Sequence, residues 1–197
     1  MCIRDRQAQV EAVGCKVAGW REVPTDDSVC GQLARDTLPR IEQVFVDAGI
    51  GQDDAGFALA LFLARRRSEQ QLREHADFYV TTLTPDAISY KGMVLPDKLS
   101  RFFPDLQRRE LASSAIVFHQ RFSTNTLPRW PLAHPFRMLA HNGEINTIEG
   151  NRRWAQARSK VWKTPRFDIG EFDPVISMHG SDSVSYTHLT LPTKRIV

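Results

Sequence analysis

The chain has 197 residues, 42% of them hydrophobic and 25% charged, which matches one globular domain or at most two small ones and excludes wholesale disorder. Its longest apolar run, residues 57–64, stops at Arg65, far short of the ~20 residues a bilayer span needs. Cysteines only at 2, 15 and 30 exclude a disulfide framework and a four-thiolate metal site, and point to a reducing cytoplasm. The net charge of +3 lies in the ends: residues 1–6 carry +1 and residues 184–197 carry +2, so residues 7–183 are neutral, which removes the grounds for a nucleic-acid partner.

In chain order, residues 7–13 read as the remnant of a helix, and residues 16–23 (KVAGWREV) alternate as a strand ended by Pro24. Asp27 is placed to cap a helix over 28–37, which stops before Pro39 because the residue preceding a proline is pushed out of the helical region. Residues 41–46 (IEQVFV) form a strand. The longest helical signal runs over 55–75, with Phe57, Leu61, Ala64 and Leu72 near one face and Arg65, Arg66 and Arg67 reaching solvent. Residues 78–83 and 87–91 read as a hairpin across Thr84-Pro85-Asp86. A short helix holding Leu99, Phe102 and Phe103 starts at Leu95-Pro96-Asp97. Residues 114–118 (SAIVF) and 136–140 (FRMLA) look like buried strands, and 147–161 like a helix. Helices and strands interleave without a regular βαβ period, which favours α+β over a doubly wound parallel sheet.

Polar residues gather at the ends of the two late strands. SAIVF runs into His119-Gln120-Arg121-Phe122-Ser123-Thr124, FRMLA runs into His141-Asn142-Gly143-Glu144, and Gly180-Ser181-Asp182-Ser183 adds a third cluster. Asn142 and Gly143 together offer a side-chain amide and an unobstructed backbone N–H to an oxyanion; the same dipeptide is also the strongest short hairpin signal. Arg121 has the planar fork that clamps a carboxylate, or makes a surface ion pair. Asp182 suits an ammonium ligand, or caps a turn. His119, His134 and His141 with Asp182 lack tight metal-ligand spacing, so no metal site is expected.

Together these clusters resemble the glutamine amidotransferase domain of the N-terminal-nucleophile class. GWREVPT, LPRIEQVFV, LARRRSE and the long segment FHQRFSTNTLPRWPLAHPFRMLAHNGEINTIEGNRRWA resemble the large subunits of glutamate synthases, over about residues 17–183. The resemblance implies a partial four-layer αββα sandwich of antiparallel sheets. It implies L-glutamine as substrate, with Asn142 and Gly143 as oxyanion donors, Arg121 on the α-carboxylate, Asp182 on the α-ammonium and Thr124 lining the pocket. It also implies partners: the remaining synthase domains and a small NADPH-binding subunit. FMN and an iron–sulfur cluster belong to the full-length enzyme, with no cofactor in this segment.

The family's nucleophile is a terminal cysteine followed by glycine and an apolar strand. Here Cys2 is followed by Ile3-Arg4-Asp5. Residues 1–6 and 184–197 are expected to be a non-native leader and tail around a partial amidotransferase domain at 7–183 that has lost its nucleophile and is inactive.

Overall fold

The computed structural model describes residues 3–75, 78–120, 127–133, 148–172 and 176, with the backbone alone for residues 3–6 and 172. The chain divides into two compact units: Met1–Ile116 with Pro128–Ala133, and Val117–Leu127 with His134–Val197. Described elements of the first unit are helix α1 (Ile3–Glu11), strand β1 (Lys16–Glu22), helix α2 (Gln32–Asp36), strand β2 (Glu42–Asp47), helix α3 (Asp54–Gln71) and helix α4 (Leu99–Phe102). Helix α5 (Ile148–Ser159) belongs to the second.

α1 begins at Ile3, four residues before the expected start. It closes at Gly14, whose φ of +79° is a left-handed conformation that glycine adopts cheaply, and the Cys15 N–H then reaches back to the Val10 carbonyl at 3.2 Å. Gln52 ties this turn to the loop before α3: it donates to the Val13 carbonyl at 3.3 Å and accepts from the Gly49 N–H at 2.9 Å.

β1 and β2 pair antiparallel, with an irregularity between Val17 and Gly19. Lys16 faces Asp47 at one end, a favourable pairing, and Glu22 faces Glu42 at the other, an unfavourable one. Arg40 relieves the like charges by reaching Glu22 at 3.4 Å and Glu42 at 3.1 Å.

The expected helix over 28–37 is shorter and differently capped. Asp26, not Asp27, caps a single 3-10 turn over Asp27–Val29 by accepting from the Ser28 N–H, and α2 starts only after Gly31. Cys30, extended and buried beside Phe102 and Phe103, interrupts the run, because packing of its side chain outweighs helix continuation.

α3 is capped by Asp53, which accepts from the Gly56 N–H at 2.8 Å, and buries Ala60, Leu61, Ala64 and Ser68. The expectation that Arg65 reaches solvent is wrong: Arg65 is 5% exposed. Its guanidinium lies over the Phe62 ring and donates to both carboxylate oxygens of Glu69, one turn along, which lets the charge sit beside the apolar face.

Two further expectations are corrected. Residues 78–91 form no hairpin ladder; only the turn survives, with the Ala87 N–H donating to Thr84 Oγ1 at 3.2 Å. Residues 114–118 are not a buried strand but irregular and exposed, with Ile116 79%, Val117 62% and Phe118 73% accessible. Alternation makes a segment able to pair, but a strand exists only when a neighbouring edge supplies the hydrogen bonds. The expected strand 136–140 lies outside the described residues.

Two cores hold the first unit. Val23, Cys30, Ala34, Phe102, Phe103 and Trp130 form one, and Val10, Cys15, Ala60 and Ala64 the other. Phe102 and Phe103 are almost wholly buried and meet edge to face at 4.6 Å, each contributing about 2–3 kcal/mol through burial. In the second unit α5 buries Ile148, Arg152 and Ala155, a stripe at helical spacing, as the expected helix over 147–161 requires. The described part is thus α+β with a two-stranded antiparallel sheet. No described helix is long and apolar enough to cross a membrane.

Candidate functional site

Arg121, Thr124, Asn142, Gly143 and Asp182 all lie outside the described residues, as do His134, His141 and Cys2. The structure therefore describes the chain that leads to and from the candidate site. Its last described residue before Arg121 is Gln120, and His119 beside it is half-buried. The Arg121 and Asn142 runs both belong to the second unit, while residues 128–133 between them belong to the first.

That intervening segment is firmly held. Trp130–Leu132 is a 3-10 turn with proline at its start, and Trp130 is buried. The Trp130 indole N–H donates to the Ala34 carbonyl at 3.2 Å, and its ring packs 5.6 Å from Phe102. Gly92 lies directly against it: a Cβ there would come within 3.0 Å of the ring.

Lys91 supplies the other anchor. Its buried ammonium donates to the Pro131 carbonyl at 3.0 Å and to the Ala133 carbonyl at 3.1 Å, and lies 5.1 Å from the centre of the Tyr79 ring. Burial lowers the Lys91 pKa to about 8 and pushes the Tyr79 phenol up to about 12. Sequence reading passed over Lys91, because a lysine in an alternating run looks like an outward-facing residue. Only its place beside Tyr90 and Gly92, in an otherwise apolar stretch, hinted otherwise.

A second polar group joins β1, β2 and the segment after α4. Arg21 pairs with Asp105 and donates from Nε to Gln43 at 2.7 Å, and the Tyr90 hydroxyl donates to Asp105 at 3.0 Å. The Arg21 hydrogen bond holds the Asp105 carboxyl below its usual range. Asp105 is buried and fully engaged, which suits a structural tie rather than a reacting group. Among the described residues no three His, Cys, Asp or Glu stand together as metal ligands.

Residues 2–190 match the class-II glutamine amidotransferase family, and the chain belongs to it. The relatives it resembles are synthases. It is 43% identical over 183 residues to the glutamate synthase [NADPH] large chain of Azospirillum brasilense, covering 91% of this chain and 12% of that one. It is 38% identical over 180 residues to the corresponding large chain of Bacillus subtilis (strain 168), covering 89% of this chain and 12% of the relative. A ferredoxin-dependent chloroplastic glutamate synthase of Spinacia oleracea is 40% identical over 177 residues, 87% of this chain and 11% of the relative. The chain spans about 12% of the length of the first of these relatives.

Proposed function

We propose that the chain is the glutamine-hydrolysing part of a cytoplasmic glutamate synthase, one that adopts part of an αββα sandwich and delivers ammonia for amination of 2-oxoglutarate elsewhere in a longer polypeptide. The observation that carries this is a single family match running from residue 2 to 190, which takes in all three polar clusters at once. Each cluster alone has an ordinary structural explanation; an amino-acid substrate accounts for all of them together.

Arg121 grips the α-carboxylate of glutamine with two parallel hydrogen bonds and Asp182 takes the α-ammonium, so the side-chain amide is the part left to react. Thr124 lines the pocket. Asn142 and the Gly143 N–H face the amide oxygen, and their bonds strengthen as attack turns it into an oxyanion. The attacking group is a terminal cysteine thiol whose own α-amino group, with an ordinary pKa of about 8, accepts the proton. Collapse of the tetrahedral adduct releases ammonia, and hydrolysis of the thioester releases glutamate.

Cys2 does not fill the nucleophile's place. The backbone just after it is helical over Ile3–Glu11, whereas the attacking cysteine heads an apolar strand with glycine beside it. On this reading this 197-residue polypeptide does not turn over glutamine, although the family match takes in residues 2–190.

An iron–sulfur cluster does not fit this chain. A cluster takes about four thiolates, and of the three cysteines here Cys15 and Cys30 are already buried in the two cores. The cluster, the flavin and any small NADPH-binding subunit are assigned to other parts of the assembly. Similar identities to NADPH-named and ferredoxin-named relatives, 43% and 40%, fit a segment that handles the amide and not the electrons.

The test uses the full-length parent synthase. Asn142→Ala should lower glutamine-dependent turnover about 10²–10³-fold while leaving turnover on added ammonia intact. Equal loss on both nitrogen sources would contradict the assignment.

A further inference from the structure

Helix α5, in the second unit, carries two stripes rather than one. Ile148, Arg152 and Ala155 form its buried face. Trp154, Arg158 and Val161 recur at the same helical spacing on another face, and that face is in solvent: Trp154 is 66% and Val161 73% exposed. Val161 lies just past the helix, but its N–H donates to the Arg158 carbonyl at 3.0 Å, and the Trp162 N–H to the Ser159 carbonyl at 3.3 Å, so the chain keeps turning through Val161. The Arg158 guanidinium lies 5.6 Å from the centre of the Trp154 ring and orders the two side chains against each other.

Charge is segregated on the same stretch. Residues 152–166 contain six arginines and lysines and no aspartate or glutamate. Arg152 is buried, and Arg153 pairs with Glu149 at 2.9 Å. The other four, Arg158, Lys160, Lys163 and Arg166, are exposed, and among the described residues no carboxylate pairs with any of them. A run of cations on a helix is ordinarily a solvated face. A face that serves solvation alone gains nothing from an open tryptophan and valine, whereas tryptophan and arginine together are what interfaces concentrate.

The charge pattern also selects the partner. Glu149 stands at the start of the cationic stretch, and Asp168 and Glu171 just beyond its end, so a polyanion that ran on in either direction, such as a nucleic-acid duplex, would meet repulsion. A short acidic segment would not. α5, at twelve residues, is about 18 Å long, the reach of about five or six extended residues.

We propose that this face of α5, with Lys160 and Lys163 at its end, docks a short acidic peptide segment of a partner protein. Carboxylates of the peptide meet Arg158, Lys160 and Lys163, and an apolar side chain of the peptide covers Trp154 and Val161. The inference is independent of the glutamine assignment, since it uses none of the substrate-binding residues.

The test is fluorescence anisotropy of a labelled peptide of glutamates interrupted by one leucine and one phenylalanine, titrated with the 197-residue chain at low salt. Saturable one-to-one binding is expected, and the same peptide with glutamine in place of each glutamate should bind at least about tenfold more weakly. Lys160→Glu with Lys163→Glu should weaken binding about tenfold, and Trp154→Ala several-fold; all three positions are exposed, so the fold does not rest on them. Arg73→Glu with Arg108→Glu changes the net charge by the same amount, in the first unit, and should leave the affinity as it is. A titration with no saturable binding would overturn the proposal, as would unchanged affinity in Lys160→Glu with Lys163→Glu, or equal weakening by both pairs of reversals. So would tighter binding of double-stranded DNA or of phosphatidylserine vesicles than of the peptide.

Discussion

The Lys91 ammonium donates to the Pro131 carbonyl at 3.0 Å, forty residues away, and this bond with its companion to Ala133 fixes the turn just before the Asn142 run. Lys91→Met keeps the apolar stem but leaves two carbonyls without this donor, so we expect a loss of about 1–3 kcal/mol in denaturant unfolding. Lys91→Arg should retain most of the stability.

The same lysine sets a pH dependence. Its folded pKa, about 8, lies below the ordinary 10.5, so above pH 8 the unfolded chain holds the proton that the folded one releases. Stability therefore rises as pH climbs from about 8. Tyr79 acts oppposite in sign: with its folded pKa near 12 against an ordinary 10.0, the unfolded phenol ionises first, so from pH 10 stability falls. Urea melts should give a maximum near pH 10, and the rise from pH 8 should be missing in Lys91→Met.

At the acid end Asp105 governs. Its folded pKa is held below the ordinary 3.8 by Arg21 and Tyr90, so its contribution is complete above about pH 4 and is lost as pH falls through the folded value. Asp105→Asn should cost about 1–3 kcal/mol at neutral pH and flatten the acid limb of the stability curve.

Gly49 and Gly51 separate two reasons for glycine in one loop. A Cβ on Gly49 would collide with the Gly14 carbonyl, a backbone atom that cannot swing aside, whereas one on Gly51 meets open space but sits at φ +77°. Gly49→Ala should destabilise by about 2–3 kcal/mol, and Gly51→Ala by about 1–2. Thermal melts of the two variants give the order directly.

Much of the first unit was legible in the sequence. The alternation of KVAGWRE, the long apolar stripe of α3, and the Phe102-Phe103 pair each carry a local rule strong enough to stand alone, whereas the Asp53 cap of α3 emerges only in the structure. Arg65 was misread because three consecutive arginines look like a solvated face, and nothing local reveals that Phe62 and Glu69 screen the middle of the helix. The segments at 78–91 and 114–118 were misread for a different reason: their patterns say they can pair, and the partner edge is a property of the whole sheet. The candidate site was legible only as motifs, since Arg121, Asn142 and Asp182 are far apart in sequence and each has a commonplace structural use.

Glutamine turnover by the 197-residue chain separates binding from chemistry. Incubated with glutamine, it should release no ammonia above the uncatalysed background. Ammonia release that Cys2→Ala abolishes would instead make Cys2 the nucleophile.

The most direct measurement of the central claim is calorimetric titration of the folded chain with L-glutamine. We expect saturable one-site binding that Arg121→Ala and Asp182→Asn each weaken at least tenfold, while glutamine lacking its α-carboxylate charge, as the amide, binds as poorly to wild type as glutamine does to Arg121→Ala. A folded chain that gives no binding heat, or affinity unchanged by both substitutions, would contradict the account.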